Sequence, residues 1–233
     1  MRQTTRIQRL DYTREHLERY TIYLGEIERS PFGPISLMEF ACISANTGIQ
    51  SAIDGWTAIR DLKGVTEIAE ALLFWGVNAP FLKASYVVGI RRLPMNLFPS
   101  PLGGDWRTQR KEGVPQIKGI GFAKYSFTAC LSHPLDSRIV CLDTIMAQSL
   151  TGTVPGKSFY AATKKAHQYY EYLEDIILEE ADVLGVPAFL HQFAVWDLTR
   201  KLLANKPTEP HSFLWQKGPD YLQLVMKGLR EID

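Results

Sequence analysis

Apolar residues recur along this chain at intervals of three and four, the period of a helix with one buried face, and no alternating run rich in β-branched residues is long enough for a convincing strand. The pattern predicts helices over 13–29, 36–45, 48–61, 65–76, 79–90, 121–131, 143–150, 157–182, 187–204 and 218–231, and so an all-α fold. Leu17, Tyr20, Leu24 and Ile27 share one face of the first segment, and Ile68, Leu72, Leu73 and Trp75 lie on the faces of the fourth. Between 91 and 116 the periodicity lapses. The stretch "RRLPMNLFPSPLGGDWRTQRKEGVPQ" mixes proline, glycine and charge and reads as an irregular connection, a feature that in compact proteins often carries function. It divides a single domain, 1–233, into approximate lobes 1–90 and 117–233.

A chain of 233 residues that is 45% hydrophobic can fill a sizeable core, and a charged fraction of 22% does not suggest disorder. The 3 cysteines, Cys42, Cys130 and Cys141, lie in apolar sequence and read as buried thiols of a reducing compartment. No C-x-x-C or H-x-x-x-H spacing appears, so neither zinc nor an iron–sulfur cluster is expected. No apolar run approaches the length of a membrane span, and the expectation is a soluble, cytoplasmic monomer with no membrane partner.

Net charge is only +1, but the charges are segregated. Residues 83–124 hold Lys83, Arg91, Arg92, Arg107, Arg110, Lys111, Lys118 and Lys124 against Asp105 and Glu112, whereas "EYLEDIILEEAD" (171–182) is strongly acidic. The basic region reads either as a face for a polyanion, with Arg107, Arg110 and Lys111 among its contacts, or as an ordinary solvated surface.

Chemistry concentrates in "IKGIGFAKYSFTACL" (117–131) and "SRIVCLDTIMAQSL" (137–150). A Gly-Ile-Gly turn opening a helix offers unpaired N–H groups and the positive end of the helix dipole to a phosphate. Glycine there permits unusual dihedrals and a close approach, and Lys118 and Lys124 flank it. The P-loop spacing is missing, so the phosphate belongs to a polymer backbone and not to a nucleotide. Asp143 is the one acidic residue of an apolar segment. It is placed to cap the helix "DTIMAQSL", and capping would hold a catalytic carboxylate in position.

These two segments together resemble the hairpin and downstream aspartate of the helix-hairpin-helix (HhH-GPD) DNA glycosylase superfamily. The family pattern is an apolar-Gly-apolar-Gly hairpin, a helix with small and apolar residues, and an aspartate in a V-D-[TV]-H type segment about twenty residues on. Here that segment reads "CLDTIM", with Ile145 where many members have histidine. The resemblance implies a two-lobed helical fold that binds DNA through the backbone of Lys118, Gly119, Ile120 and Gly121, often with a monovalent cation at the hairpin and no other cofactor. It implies that a modified base is flipped into the cleft, because the glycosidic carbon is unreachable in a stacked duplex, and that Asp143 stabilises the oxocarbenium charge or activates water.

Lysine-bearing members carry a nucleophilic lysine two residues after the second glycine. That slot is Ala123 here, and Lys124, one residue on, is the candidate for the role. A bacteriophage branch, the α-glutamyl/putrescinyl thymine pyrophosphorylases, resembles the same pattern and implies base modification in place of excision. A non-catalytic DNA-binding protein is the third reading. Among other polar residues, Asn46, Gln50, Gln192 and Trp196 are candidates for the base pocket. His133 has no assigned place, and the Tyr169, Tyr170 and Tyr172 cluster reads as packing.

Overall fold

The structure, a computed structural model, describes residues 3–28, 31–160 and 163–204; the expected helix over 218–231 lies outside them. Among the described residues there is no strand, in keeping with the all-α expectation. The helices are α1 (Arg6–Glu15), α2 (Leu17–Glu28), α3 (Pro34–Ser44), α4 (Ile49–Ala58), α5 (Val65–Phe74), α6 (Pro80–Ile90), α7 (Trp106–Gly113), α8 (Phe122–Ser132), α9 (Thr144–Thr151), α10 (Lys164–Leu184) and α11 (Ala188–Ala204).

Three differences from the sequence pattern have local causes. The first expected helix is two. α1 begins earlier on a capping box, in which Thr5 Oγ1 accepts from the Gln8 amide while Gln8 Oε1 accepts from the Thr5 amide, and the chain leaves helical dihedrals at His16. The stretch 91–116 is not wholly irregular: Asp105 caps α7, its carboxylate accepting the Thr108 amide at 2.8 Å, and short 3-10 turns flank that helix. Finally, α10 starts at Lys164, with Thr163 as cap, and the preceding Lys157–Tyr160 is a 3-10 turn.

Apolar faces pack into one main core and smaller ones. The main core joins α2–α6 to α8 and α11 through Phe40, Trp56, Ile68, Ala129 and Phe189. A second, made by Val140, Leu142, Met146, Tyr170, Ile177 and Val195, lies under the segment that ends at Asp143. A third, with Met38, Cys42, Ile90, Ile117, Ile120 and Tyr125, lies under the Gly-Ile-Gly turn. The two segments singled out by sequence therefore each rest on a filled core, which fixes their backbones. α1 packs on α10 and α11, far along the chain, where Arg9 grips Glu180, and Thr4 just before α1 reaches Ser149 of α9. No helix among the described residues is long and apolar enough to cross a membrane.

Candidate active site

The hairpin divides the demand for glycine between its two positions. Gly119 sits at φ +85, and a Cβ there would stand 2.2 Å from the Tyr86 ring, so both backbone and space require glycine. Gly121 has extended dihedrals, and a Cβ there would meet nothing within 4 Å. It caps α8 without a side chain, which leaves the first amides of that helix with no capping side-chain acceptor and the positive end of the dipole for an anion. Ile120 is buried in the third core and offers only its backbone, while Lys118 is exposed at the entry to the turn. Lys124 bends back, its Nζ donating to the Gly119 carbonyl at 2.7 Å.

Asp143 is the N-cap of α9. Its Oδ1 accepts the Met146 amide at 2.8 Å, and its Oδ2 accepts the indole N–H of Trp196 at 3.0 Å. Burial raises its pKa above the ordinary aspartate value, and the hydrogen bonds from Met146, Trp196 and the Ile145 amide pull the other way without cancelling the rise. The carboxylate is thus held by donors on two helices, α9 and α11, in a half-buried position at the surface of the second core. Among the described residues, Cys141 and Tyr160 are titratable groups that face it, and burial pushes both of their pKa values up. Ile145, in the slot that carries histidine in many resembling proteins, turns inward against Leu203 and Trp196.

Several basic residues expected on a DNA face are engaged within the protein. Arg110 is fully buried, its guanidinium between the rings of Phe122 and Tyr170 at 4.7 Å each, and it bonds both oxygens of Glu174 at 2.7 and 3.0 Å. Arg107 bonds Glu174 and Asp175, and Lys111 bonds Glu171 at 2.8 Å. For Arg110 the expectation of a DNA contact is corrected, because the side chain is fully buried; Arg107 and Lys111 are paired with the acidic stretch of α10 but keep part of their side chains at the surface. Lys83 is buried as well. Its ammonium donates to Ile43 O, Ala45 O and Thr47 Oγ1, pinning the turn after α3, and burial lowers its pKa to about 8.

Of the base-pocket candidates, Asn46 is exposed on that pinned turn at φ +53, and Gln50 is exposed and bonded to Asp54. Gln192 is buried, its Oε1 accepting the Cys141 amide, so it supports the aspartate segment and does not line an open pocket. Trp196 touches Asp143 itself. His133 lies beside Trp106, with centroids 5.6 Å apart. Sequence reading missed two residues. Glu174, within the strongly acidic stretch, is fully buried; its phase with Tyr170, Leu173, Ile177, Leu178 and Ala181 is the signal that marks it. Tyr160, near Asp143 and bonded to Thr144, had no such signal.

No protein-family model and no curated protein matches this sequence. Among solved structures, the chain is similar to the 8-oxoguanine DNA glycosylase of Thermotoga maritima, with a TM-score of 0.67 and 21% identity, covering 83% of this chain and 97% of that one. It is also similar to the Methanocaldococcus jannaschii 8-oxoguanine glycosylase/lyase in complex with a 15mer DNA containing 8-oxoguanine, with a TM-score of 0.65 and 16% identity, covering 81% and 95%. The chain has the fold of these glycosylases across nearly their whole length.

Proposed function

We propose that the protein is a DNA glycosylase that excises an oxidised base, with 8-oxoguanine as the first substrate to try and Asp143 as the catalytic carboxylate. The observation that carries the reading is Asp143 itself: an anion fixed by the Met146 amide and the Trp196 indole, in a fold shared with two 8-oxoguanine glycosylases. The first α8 amides after Gly121, which no side chain caps, receive a backbone phosphate and set the register of the strand. As the N-glycosidic bond breaks, its electron pair leaves with the base, which takes up a proton from solvent. The carboxylate stabilises the positive charge left on the sugar, and water then attacks the sugar carbon and gives its proton to Asp143.

Lys124 braces the hairpin in this reading. Its amine already serves Gly119 O, and Ala123 holds the slot of the nucleophile in lysine-bearing proteins, so release of the base is hydrolytic. A monovalent cation at the hairpin belongs to the same proposal, with the Lys124 ammonium already supplying positive charge at the Gly119 carbonyl.

The test is incubation with duplex oligonucleotides carrying 8-oxoguanine and a panel of other modified bases, with mass spectrometry of the released small molecules and borohydride added to one set. Free base without a trapped adduct is the expected result. No base released from any substrate overturns the reading, and an adduct lost in Lys124→Ala would transfer the role of nucleophile to that lysine.

The two glycines give a further expected outcome. Gly119→Ala forces an alanine into positive φ against Tyr86 and costs about 1–3 kcal/mol, visible as a lower Tm. Gly121→Val leaves the Tm within a degree or two and weakens DNA binding on the order of tenfold, because its side chain fills the approach of the phosphate. Equal effects of the two changes on Tm and on binding would contradict this division.

A further inference from the structure

The four residues leading to Asp143, Ile139 to Leu142, belong to neither helix nor strand, yet their backbone is not left to water. Val140 N–H donates to Glu174 Oε1 at 2.8 Å, Cys141 N–H to Gln192 Oε1 at 2.8 Å, and Leu142 N–H to the Tyr170 hydroxyl at 2.8 Å. The same hydroxyl donates to Val140 O at 2.9 Å. Three consecutive amides are thus held by three side chains from α10 and α11, all buried. Buried amides need partners, but a loop packed on a core could meet that need through water or its own turns. A fixed side-chain frame does more: it sets the height and direction at which the chain enters α9, and so the position of the residue at its cap.

We propose that Tyr170, Gln192 and Glu174 are positioning residues that act together as a substitute strand, and that through Leu142 and Cys141 they fix the carboxylate of Asp143 against Trp196. This deepens the glycosylase reading and rests on it for the part that concerns turnover. The frame is itself fixed from behind. Tyr170 is stacked on Phe159 at 5.6 Å and stands beside the Arg110 guanidinium, and Glu174 is held by Arg110 and Arg107. The basic stretch that sequence assigns to a polyanion face therefore ends, two bonds on, at the backbone of the aspartate segment.

The Trp196 indole N–H gives a readout that does not depend on activity, because it bonds Asp143 directly. Protein labelled with 15N at its 5 tryptophans shows one indole resonance that follows the protonation of Asp143, lost in Trp196→Phe and insensitive to pH in Asp143→Asn. Cys141 and Tyr160, which also face Asp143, stay protonated through that titration, since both are pushed upward in pKa.

The variant to make is Tyr170→Phe, which keeps the ring and removes both hydroxyl bonds; Gln192→Met removes an acceptor from the other helix and serves as the second. Both are expected to move the Trp196 resonance and its pH midpoint while the indoles of Trp56 and Trp106 stay in place. Both lower kcat for base release by roughly 10- to 100-fold with KM within about twofold, as a small misplacement of a reacting group does. If wild type releases no base, the glycosylase reading falls and the resonance alone still tests the frame. An unmoved Trp196 resonance in both variants overturns the frame, as does a shift of all indoles in proportion to lost Tm.

Discussion

Asp143→Asn abolishes base release while leaving DNA binding and folding intact. Loss of the charged group removes both the stabilisation of the oxocarbenium ion and the base for water, and turnover falls by about 10²–10⁴-fold or more. Asparagine caps a helix as well as aspartate does, so the Met146 amide keeps an acceptor and α9 keeps its start. The effect on stability has a definite sign. The folded pKa of Asp143 is raised, so the folded state binds its proton more tightly than the unfolded chain does, and ionisation costs stability as pH rises from the ordinary aspartate range through the raised value. Asparagine removes that cost at neutral pH, but its side-chain NH2 cannot accept the Trp196 indole N–H as Oδ2 does, so the two effects oppose each other and the Tm of the variant stays within about 3 °C of wild type. Because the folded pKa is raised, the acid limb of kcat in wild type lies above the ordinary aspartate pKa. Thermal unfolding, DNA affinity and single-turnover base release together check the prediction. A variant that loses Tm and activity in parallel, or one that keeps turnover, would remove Asp143 from its role.

Glu174→Ala destabilises the protein by about 3–5 kcal/mol, the cost of leaving a buried charge without its partner, which for a chain of this size lowers the Tm on the order of 10 °C. Three interactions go at once: the Arg110 pair, the Arg107 pair and the acceptor for Val140 N–H. Arg110 suffers most, being fully buried. The double variant Arg110→Met, Glu174→Ala recovers part of the loss, because a buried pair replaced by apolar groups costs less than half a pair left behind. Calorimetry of the three variants decides. A double variant at least as unstable as the sum of the singles would mean that the pair is not coupled as the geometry requires. The result also separates two assignments for the basic stretch, since a DNA-facing Arg110 would alter the salt dependence of binding and leave the Tm unchanged.

How much of this was legible in the residues differs from element to element. The helical class, and most helix positions, follow from periodicity that the chain carries within a few residues of each site. The α1 capping box and the Asp105 cap are local too, yet the apolar periodicity there is too weak to mark a helix. Thr5 with Gln8 and Asp105 with Thr108 are the marks that would have found those helices. The Gly-Ile-Gly turn and the Asp143 cap were legible for the same reason: each is a contact between residues at most three apart.

Glu174, Arg110, Tyr170 and Trp196 are the opposite case. Periodicity states that a helix has a buried face, but not which distant helix will lie against it. Glu174 meets Arg110 across 64 positions, and Trp196 reaches Asp143 across 53. A lysine or arginine beside a run of acids in the sequence looks like a solvated surface or a polyanion face. It becomes an internal ion pair when α7 is laid on α10, because burial of either charge is tolerable only with the other in contact. Local sequence thus dictated the helices, the hairpin and the capped aspartate, whose energies come from neighbours along the chain. The packing of α7, α10 and α11 decided which charges are spent inside and which side chains hold the aspartate, since those partners meet nowhere but in the folded protein.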